Sequence, residues 1–487
     1  MNRFLHCSVA SVLLVASVPP ASRAAETLDR SKEPPLGPTP TVTVPKPTKF
    51  KLANGLEVWL VERHGLPLVN FRLLIHSGVA DGPLEKPGVV TMTTMLMRQG
   101  ATHRTALQIE EQLEALGLHL GVGSSWNHCE VTMQTLTKHL DASLKLFADV
   151  LQHPAFRQDD LDRARNQRLD ALRQQRARAD GILWKAFART IFGDQHLYGL
   201  PSDGTEESLP QIAREDLLKF HNSFFRPNNA TLVVVGDVAE ESLRGRLNLA
   251  LRDWKPAALP ARKPLEFPEA PHPLVVLGDK PDAAQSVIVI GRAGIRRDNP
   301  DYFPLLVANS LLGGTYMSRL NLNLRQDKGY AYGAYSWFDW RDGSSPFTAY
   351  AAVNAPVTKE ATVEMLKELK GIAGDKPITR EELQYAKDTL ARSFAREFET
   401  NGHLAGNFIG VIRWRLPEDY FDNYVQHVQS VSLDDVRRVA AKYFDPKQMS
   451  VFIVGDRKKV APRIKELDLG ELRCVDERGF ETEVPKD

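Results

Sequence analysis

A long internal repeat constrains this chain more than any other feature. Glu215-Asp216-Leu217-Leu218-Lys219-Phe220 leads through Phe225-Arg226-Pro227 into Leu232-Val233-Val234-Val235-Gly236-Asp237. The same order returns as Asp434-Asp435-Val436, then Phe444-Asp445-Pro446, then Val451-Phe452-Ile453-Val454-Gly455-Asp456. Pro227 to Pro446 and Gly236 to Gly455 share one offset, 219 residues. Each copy reads as a helix, a proline turn and a short β-branched strand that stops at Gly-Asp. A weaker echo relates Leu74-Ile75-His76-Ser77-Gly78 to Ile290-Gly291-Arg292-Ala293-Gly294. Solenoid periods are far shorter, so the pattern implies duplication of a whole domain. A chain of 487 residues also exceeds what one core accommodates.

Proline marks the joints between these units. Residues 26–47 carry Pro34, Pro35, Pro38, Pro40, Pro45 and Pro47, and a second proline-rich stretch covers 256–273. Proline fixes φ and removes a donor, so both stretches are expected to be extended tethers. They divide the chain into domains at 48–255 and 274–487. Ahead of them, Met1 to Ala25 shows Arg3, an apolar run from Phe4 to Val18, then small residues ending Ser22-Arg23-Ala24. That is the order of a secretory signal. The apolar run is too short for a permanent span of a bilayer core about 30 Å thick, although an uncleaved anchor is the alternative. The mature chain is therefore expected to be exported, periplasmic in a bacterium.

Within each half, adjacent strands alternate with long amphipathic runs. Asn54-Gly55 between Phe50–Leu52 and Glu57–Val61 predicts a tight hairpin. A third strand follows at 69–76, helices at 87–98 and 106–116, and strands at 118–121 and 129–136. Helices are expected at 140–151 and 158–192. Paired strands with segregated helices indicate an α+β architecture, each domain a mainly antiparallel sheet packed with helices.

Composition removes several function classes. Lys+Arg 62 against Asp+Glu 61 leaves a net charge of +1, which supplies no field for nucleic acid or an anionic membrane surface. Three cysteines make no disulfide framework; with Cys7 in the export segment, Cys129 and Cys474 remain as one pair that sequence leaves open. No G-x-S-x-G elbow, P-loop or G-x-G-x-x-G occurs.

The order and spacing of several motifs resemble the insulinase/pitrilysin zinc metallopeptidases, the inverzincin family, in their two-domain bacterial and processing-peptidase form. These motifs are the Asn54-Gly55-Leu56 opening, Ser77-Gly78, the helix beginning at Gly88, Leu311-Leu312-Gly313-Gly314, the segment Leu324 to Gly333, and the duplicated Gly-Asp strand ends. The resemblance implies a clamshell built from two such chains. Catalytic members carry H-x-x-E-H on the helix that starts at Gly88 here, two imidazoles for zinc and a glutamate to polarise the bound water. This chain reads Gly88-Val89-Val90-Thr91-Met92-Thr93-Thr94-Met95-Leu96. The histidine positions fall on Thr91 and Met95, the glutamate on Thr94. The family's third, carboxylate ligand falls on Ala171 and its supporting glutamate on Ala164, with Asp170 reachable by a one-residue slip. No zinc is expected on this chain.

What the resemblance retains is an arginine–tyrosine pair seven residues apart, Arg325 and Tyr332, in Leu324-Arg325-Gln326-Asp327-Lys328-Gly329-Tyr330-Ala331-Tyr332-Gly333. In the family such a pair reaches a facing zinc site, where a guanidinium and a phenol stabilise the oxyanion formed by water attack. Tyr330 is the alternative tyrosine and a substrate-side candidate, and Arg319 is a rival arginine with a helix-orienting role. Gly313 and Gly314 are read as a helix end or tight turn, with peptide steering as the functional alternative. Trp337, Phe338 and Trp340 suit either a peptide chamber or a core. His119 and His128 flank a Gly-Ser turn and would have to approach one another to hold a metal. Arg163, Arg165, Arg168, Arg173, Arg176 and Arg178, interleaved with aspartates, read as a solvated or partner-facing helix.

These features predict a non-catalytic subunit of a heterodimeric zinc peptidase. A homologous chain with intact H-x-x-E-H would carry the zinc, and this chain would supply Arg325 and Tyr332 across the interface to a peptide substrate. A peptide-binding or structural scaffold without catalytic role is the alternative, and a homodimer stays open.

Overall fold

The computed structural model describes residues 37, 38, 40–262 and 273–483. The expected export segment, the start of the first tether and residues 263–272 of the second lie outside the described residues. The first half contributes β1 (Thr48–Lys51), β2 (Glu57–Glu62), β3 (Leu68–Ile75), α1 (Val89–Leu96), β4 (Gly100–Ala101), β5 (Arg104–Thr105), α2 (Ala106–Leu116) and β6 (His119–Ser124). It continues with β7 (Cys129–Leu136), α3 (Leu140–Gln152), α4 (Gln158–Arg176), α5 (Ala179–Phe192), α6 (Arg214–Phe224), β8 (Ala230–Gly236) and α7 (Glu240–Ala250). The second half contributes β9 (Leu274–Asp279), β10 (Gln285–Arg292), α8 (Tyr302–Asn309), α9 (Arg319–Asn321), β11 (Ala331–Phe338), β12 (Phe347–Asn354) and α10 (Thr358–Lys370). Then come α11 (Arg380–Phe394), α12 (Asn401–Arg413), α13 (Tyr420–Ser430), α14 (Leu433–Tyr443), β13 (Ser450–Gly455), α15 (Arg457–Lys465), β14 (Glu471–Val475) and β15 (Glu481–Thr482).

The two halves repeat one sheet topology. The first sheet runs β1-β2-β8-β3-β7-β6 and the second, from the matching end, β15-β14-β9-β13-β10-β12-β11. In the first, β8 lies parallel to β2 and antiparallel to β3; in the second, β13 lies parallel to β9 and antiparallel to β10. The duplicated Gly-Asp strands are therefore the equivalent interior strands of two sheets. The weaker echo has a physical cause too. A Cβ on Gly78 would collide with the Ser125 and His128 backbone, and one on Gly294 with the Ser345 carbonyl. Each glycine passes under the loop that joins the outer hairpin, β6–β7 or β11–β12. Local chemistry agrees with the pattern. Asn54 accepts from the Leu56 amide at 3.1 Å in the first hairpin, and Ser432 and Asp435 form a reciprocal cap on α14.

Two helices cross between the halves. The single helix expected over 158–192 is broken at Arg178, which is extended, and α5 leaves α4 to cover the second sheet. Ile182, Leu183, Ala186 and Phe187 of α5 pack with Val276, Val287, Val289 and Phe452 of that sheet. Conversely, α12 covers the first sheet: Leu404, Ala405, Phe408 and Ile409 pack with Trp59, Leu74, Val233 and Val235. The break is thus a tertiary demand that local periodicity does not register. Of the glycines spaced four apart on α12, Gly402, Gly406 and Gly410, it is Gly406 that marks the close approach: a Cβ there would collide with the Arg72 guanidinium, whereas Gly410 faces open space. Cys129 and Cys474 are buried, unpaired thiols in separate cores, so they form no disulfide. Among the described residues no helix is long and apolar enough to cross a membrane.

Phe408 is buried, 6.1 Å edge-to-face from Trp59. Phe408→Ala is expected to cost about 3–5 kcal/mol in urea denaturation, the usual range for a large-to-small core change. Native-state hydrogen exchange should quicken at Val233 and Val235 of the first sheet, although the substitution lies in the second half of the chain.

Candidate functional site

Gly88 opens α1 with φ 100°, and a Cβ there would lie 2.8 Å from Gly204 Cα, so only glycine lets the helix start against that loop. The helix runs beside β6, the edge of the first sheet, and the two frame an open cleft of about 440 Å³. Thr91, Thr94 and Met95 line it, with Ser124, Ser125, Trp126, Ser202 and Asp203 opposite. The three α1 positions of the expected metal motif therefore face one cleft.

Its side chains do not fit zinc. Thr91 donates to the Ser202 carbonyl at 2.8 Å, and Thr94 turns its hydroxyl toward the Thr91 carbonyl at 3.1 Å. Met95 packs against the first core. On α4, Ala171 has no donor atom and Ala164 is buried. Arg168, one turn before Ala171, forms an ion pair with Asp203 and so neutralises the carboxylate that lines the cleft. A fixed guanidinium beside the vacated ligand position opposes a divalent cation. Asp170 does not substitute: it is exposed and bonded to Arg173 at 2.8 Å. Among the described residues no group of three or more His, Cys, Asp or Glu side chains has the geometry to hold a metal.

The second half presents the opposite picture. After α9 the chain widens into a π-helical turn, Leu322–Asp327, anchored by Asn323, which donates to Glu364 at 2.8 Å and to Glu368 at 2.7 Å. Such turns recur at functional sites. The turn carries Arg325, whose guanidinium lies between two phenol rings, 4.9 Å from Tyr316 and 5.0 Å from Tyr332. No carboxylate pairs with Arg325 among the described residues, which leaves its fork of donors available. Tyr332 sits where β11 takes one extra residue between Ala331 and Ala334 relative to β12. A bulge of this kind re-aims a side chain, and Tyr332 is 88% exposed. β11 is the free edge of the second sheet, the counterpart of β6 in the first.

The rivals separate cleanly. Tyr330 is half-buried and packs against the second core, so Tyr332 and not Tyr330 is the outward phenol. Arg319 is buried in a two-pronged pair with Glu382, 2.8 and 2.7 Å, and donates to the Lys376 carbonyl, which fixes the helix start as expected. Gly313 is buried where a Cβ would collide with Ser336 of β11, a packing reason that needs no peptide; Gly314 ends a π-helical turn, Ser310–Gly314. Phe338 joins Phe347 and Phe444 in the core, whereas Trp337, 37% exposed, leans on Trp184 of α5 at 6.0 Å. His119 and His128 do not meet: His119 pairs with Gln134 and His128 precedes Cys129, at opposite ends of the β6–β7 ladder. Cys129 is fully buried, with its thiol pKa pushed up by burial. The arginines of α4 and the break after it are all ion-paired: Arg163 with Asp160, Arg165 with Asp162, Arg173 with Asp170, Arg176 with Glu206 and Arg178 with Asp180, besides Arg168. Tyr316 had no sequence signal; it lies nine residues before Arg325 and meets it only through the turn.

Known proteins with this fold give the same reading. A family description, "Insulinase (Peptidase family M16)", matches residues 58–199, and "Peptidase M16 inactive domain" matches residues 211–390. A Bacillus subtilis protein named as the uncharacterized zinc protease YmxG is 21% identical over 81% of this chain and 95% of its own length. The Helicobacter pylori protein named non-peptidase homolog YmxG is 23% identical over 82% of this chain and 91% of its own. The crystal structure of a peptidase M16 inactive domain from Pseudomonas fluorescens superposes with a TM-score of 0.78 at 25% identity, covering 84% of this chain and 97% of that one. With both halves matched, the duplicated sheets in place and the zinc helix stripped of its ligands, the chain belongs to the insulinase family, peptidase family M16, as a member without the metal-binding motif.

Proposed function

We propose that this chain is the non-catalytic subunit of a heterodimeric zinc peptidase, lending Arg325 and Tyr332 to a homologous partner that carries H-x-x-E-H and the metal. The observation that carries the reading is the contrast between its two equivalent edges. Beside β6 the Thr91 and Thr94 hydroxyls are turned to backbone carbonyls and Asp203 is neutralised by Arg168. Beside β11 an arginine without a carboxylate stands next to an almost fully exposed phenol carried on the bulged free strand. Exposing a tyrosine ring to this extent contributes nothing to the fold, and a bulge that aims it outward suits a role across an interface.

The chemistry matches the need. Attack of water on a peptide carbonyl develops an oxyanion, and a guanidinium with a phenol O–H can donate to it from the side opposite a metal. The phenol of Tyr332 would give its hydrogen bond and the Arg325 fork would add charge. An extended peptide would add to a sheet edge of the catalytic partner, its backbone donors and acceptors completed by the strand it joins. On the export reading of residues 1–25 the assembly would work in the periplasm, trimming peptides or unfolded segments.

Three measurements test this. A co-purified mixture of this chain with an H-x-x-E-H homologue encoded beside it should hydrolyse a quenched fluorescent oligopeptide, and neither chain alone should do so. Arg325→Ala or Tyr332→Phe should lower turnover of the mixture by about 10²–10³, the usual loss for one oxyanion donor, with little change in unfolding midpoint because neither side chain is in a core. Unchanged turnover would assign the chain to the scaffold reading. Metal analysis of the isolated chain after dialysis against equimolar zinc should find well under one equivalent; one tightly held ion would overturn the account of α1.

A further inference from the structure

A roomy cleft belongs to neither edge. About 830 Å³ of space lies between the two halves, within the size range of small-molecule sites. One wall is the outer face of the first sheet, through Trp59 and His76. The other is the C-terminal end of α12 with the turn after it, and two loops at 296–298 and 341–342 close the ends. Among the described residues six arginines and four carboxylates line it, in a chain whose total charge is nearly balanced.

Pairing uses only part of that excess. Arg296 is held by Asp298 at 2.8 Å, and Arg297 donates to the Tyr420 hydroxyl at 2.8 Å. Arg341 is the most built of the set. It is 8% exposed, its Nε and Nη2 are fixed by Asp339, and its guanidinium is stacked between Trp126 at 4.6 Å and Tyr198 at 4.8 Å. Its remaining nitrogen, Nη1, is buried with no partner. Arg413 stacks on Trp414 at 4.0 Å and makes one long bond to the Trp340 carbonyl, while its Nε is also buried and unmatched. Arg415 has neither an ion pair nor a side-chain hydrogen bond among the described residues, and its φ of 50° is a left-handed conformation that non-glycine residues seldom adopt. Asp342 lies among these cations without touching one, its pKa raised by burial although Arg413, Arg262 and Arg415 pull it the other way.

Buried guanidinium nitrogens without acceptors are rare in native proteins, and each asks what satisfies it. Preformed aromatic stacking around two of them marks a rigid site. We infer that this cavity is a binding site for a small organic oxyanion, a carboxylate or phosphate held by Arg341, Arg413 and Arg415 against the indoles of Trp59 and Trp414. Because Arg341, Arg413 and Arg415 belong to the second half and the Trp59 wall to the first, the ligand clamps the two halves together. The site is separate from Arg325 and Tyr332 and does not rest on the proposed peptidase role.

Titration calorimetry of the full chain at constant ionic strength, with citrate in one arm and inorganic pyrophosphate in the other, tests this. At least one probe should bind with a Kd below about 100 µM and raise the unfolding midpoint by about 3 °C at a hundredfold excess over Kd. Response to citrate alone, or to pyrophosphate alone, identifies the carboxylate or the phosphate as the natural group. Arg413→Gln and Arg415→Gln should each weaken binding tenfold or more, whereas Arg173→Gln on the exposed face of α4 should not. If Arg413→Gln fails to fold, the exposed Arg415 decides. Absence of heat with both probes at millimolar concentration overturns the inference, and so does binding that Arg415→Gln leaves unchanged.

Discussion

Everything positioned in this molecule depends on an exchange of helices between two copies of one domain. α5 leaves the first half to seal the second sheet, and α12 leaves the second half to seal the first. Each sheet has two apolar faces, and its own half covers only one of them. The other is closed by its neighbour's helix, so burial of apolar area, the dominant favourable term in folding, is shared between the halves. That arrangement fixes how the halves meet. It also creates the arginine-lined cleft, whose walls come from β2 and β3 on one side and the end of α12 on the other.

Duplication then allowed the two copies to diverge at equivalent places. β6 and β11 are the matching free edges, α1 and α8 the matching helices that follow β3 and β10. In the first copy, threonine hydroxyls turned to backbone carbonyls and the Arg168–Asp203 pair have replaced whatever could hold a cation. In the second, a widened helical turn and a strand bulge keep Arg325 and Tyr332 in contact and outward. The two equivalent edges thus differ: the first has no group that could hold a cation, and the second presents a paired arginine and phenol to solvent.

Much of this was legible in the chain itself, for reasons that can be named. A proline turn followed by a β-branched run ending at Gly-Asp is local information, and its recurrence at a constant offset exposed the duplication. The Asn54-Gly55 hairpin and the emptied motif after Gly88 are local as well. The break at Arg178 was not legible, because amphipathic periodicity continues through it and only the second sheet, far along the chain, dictates the turn. The choice between Tyr330 and Tyr332 was likewise open, since a bulge depends on the pairing with β12. Arg341, Arg413 and Arg415 carried no signal at all. They come from different loops and helices, and only the fold gathers them.

The glycine-spaced helix α12 has a consequence in time as well as in space. The strands of the first sheet are complete once Gly236 has emerged, yet the helix that shields their outer face begins only at Asn401. At ordinary synthesis rates that interval is on the order of ten seconds, and an exported chain would emerge from a translocation channel in the same order. Throughout it Trp59, Val233 and Val235 stand open to water beside a free strand edge. A nascent chain of this design carries an uncovered apolar sheet face until its own helix arrives, the kind of surface that invites pairing with another chain.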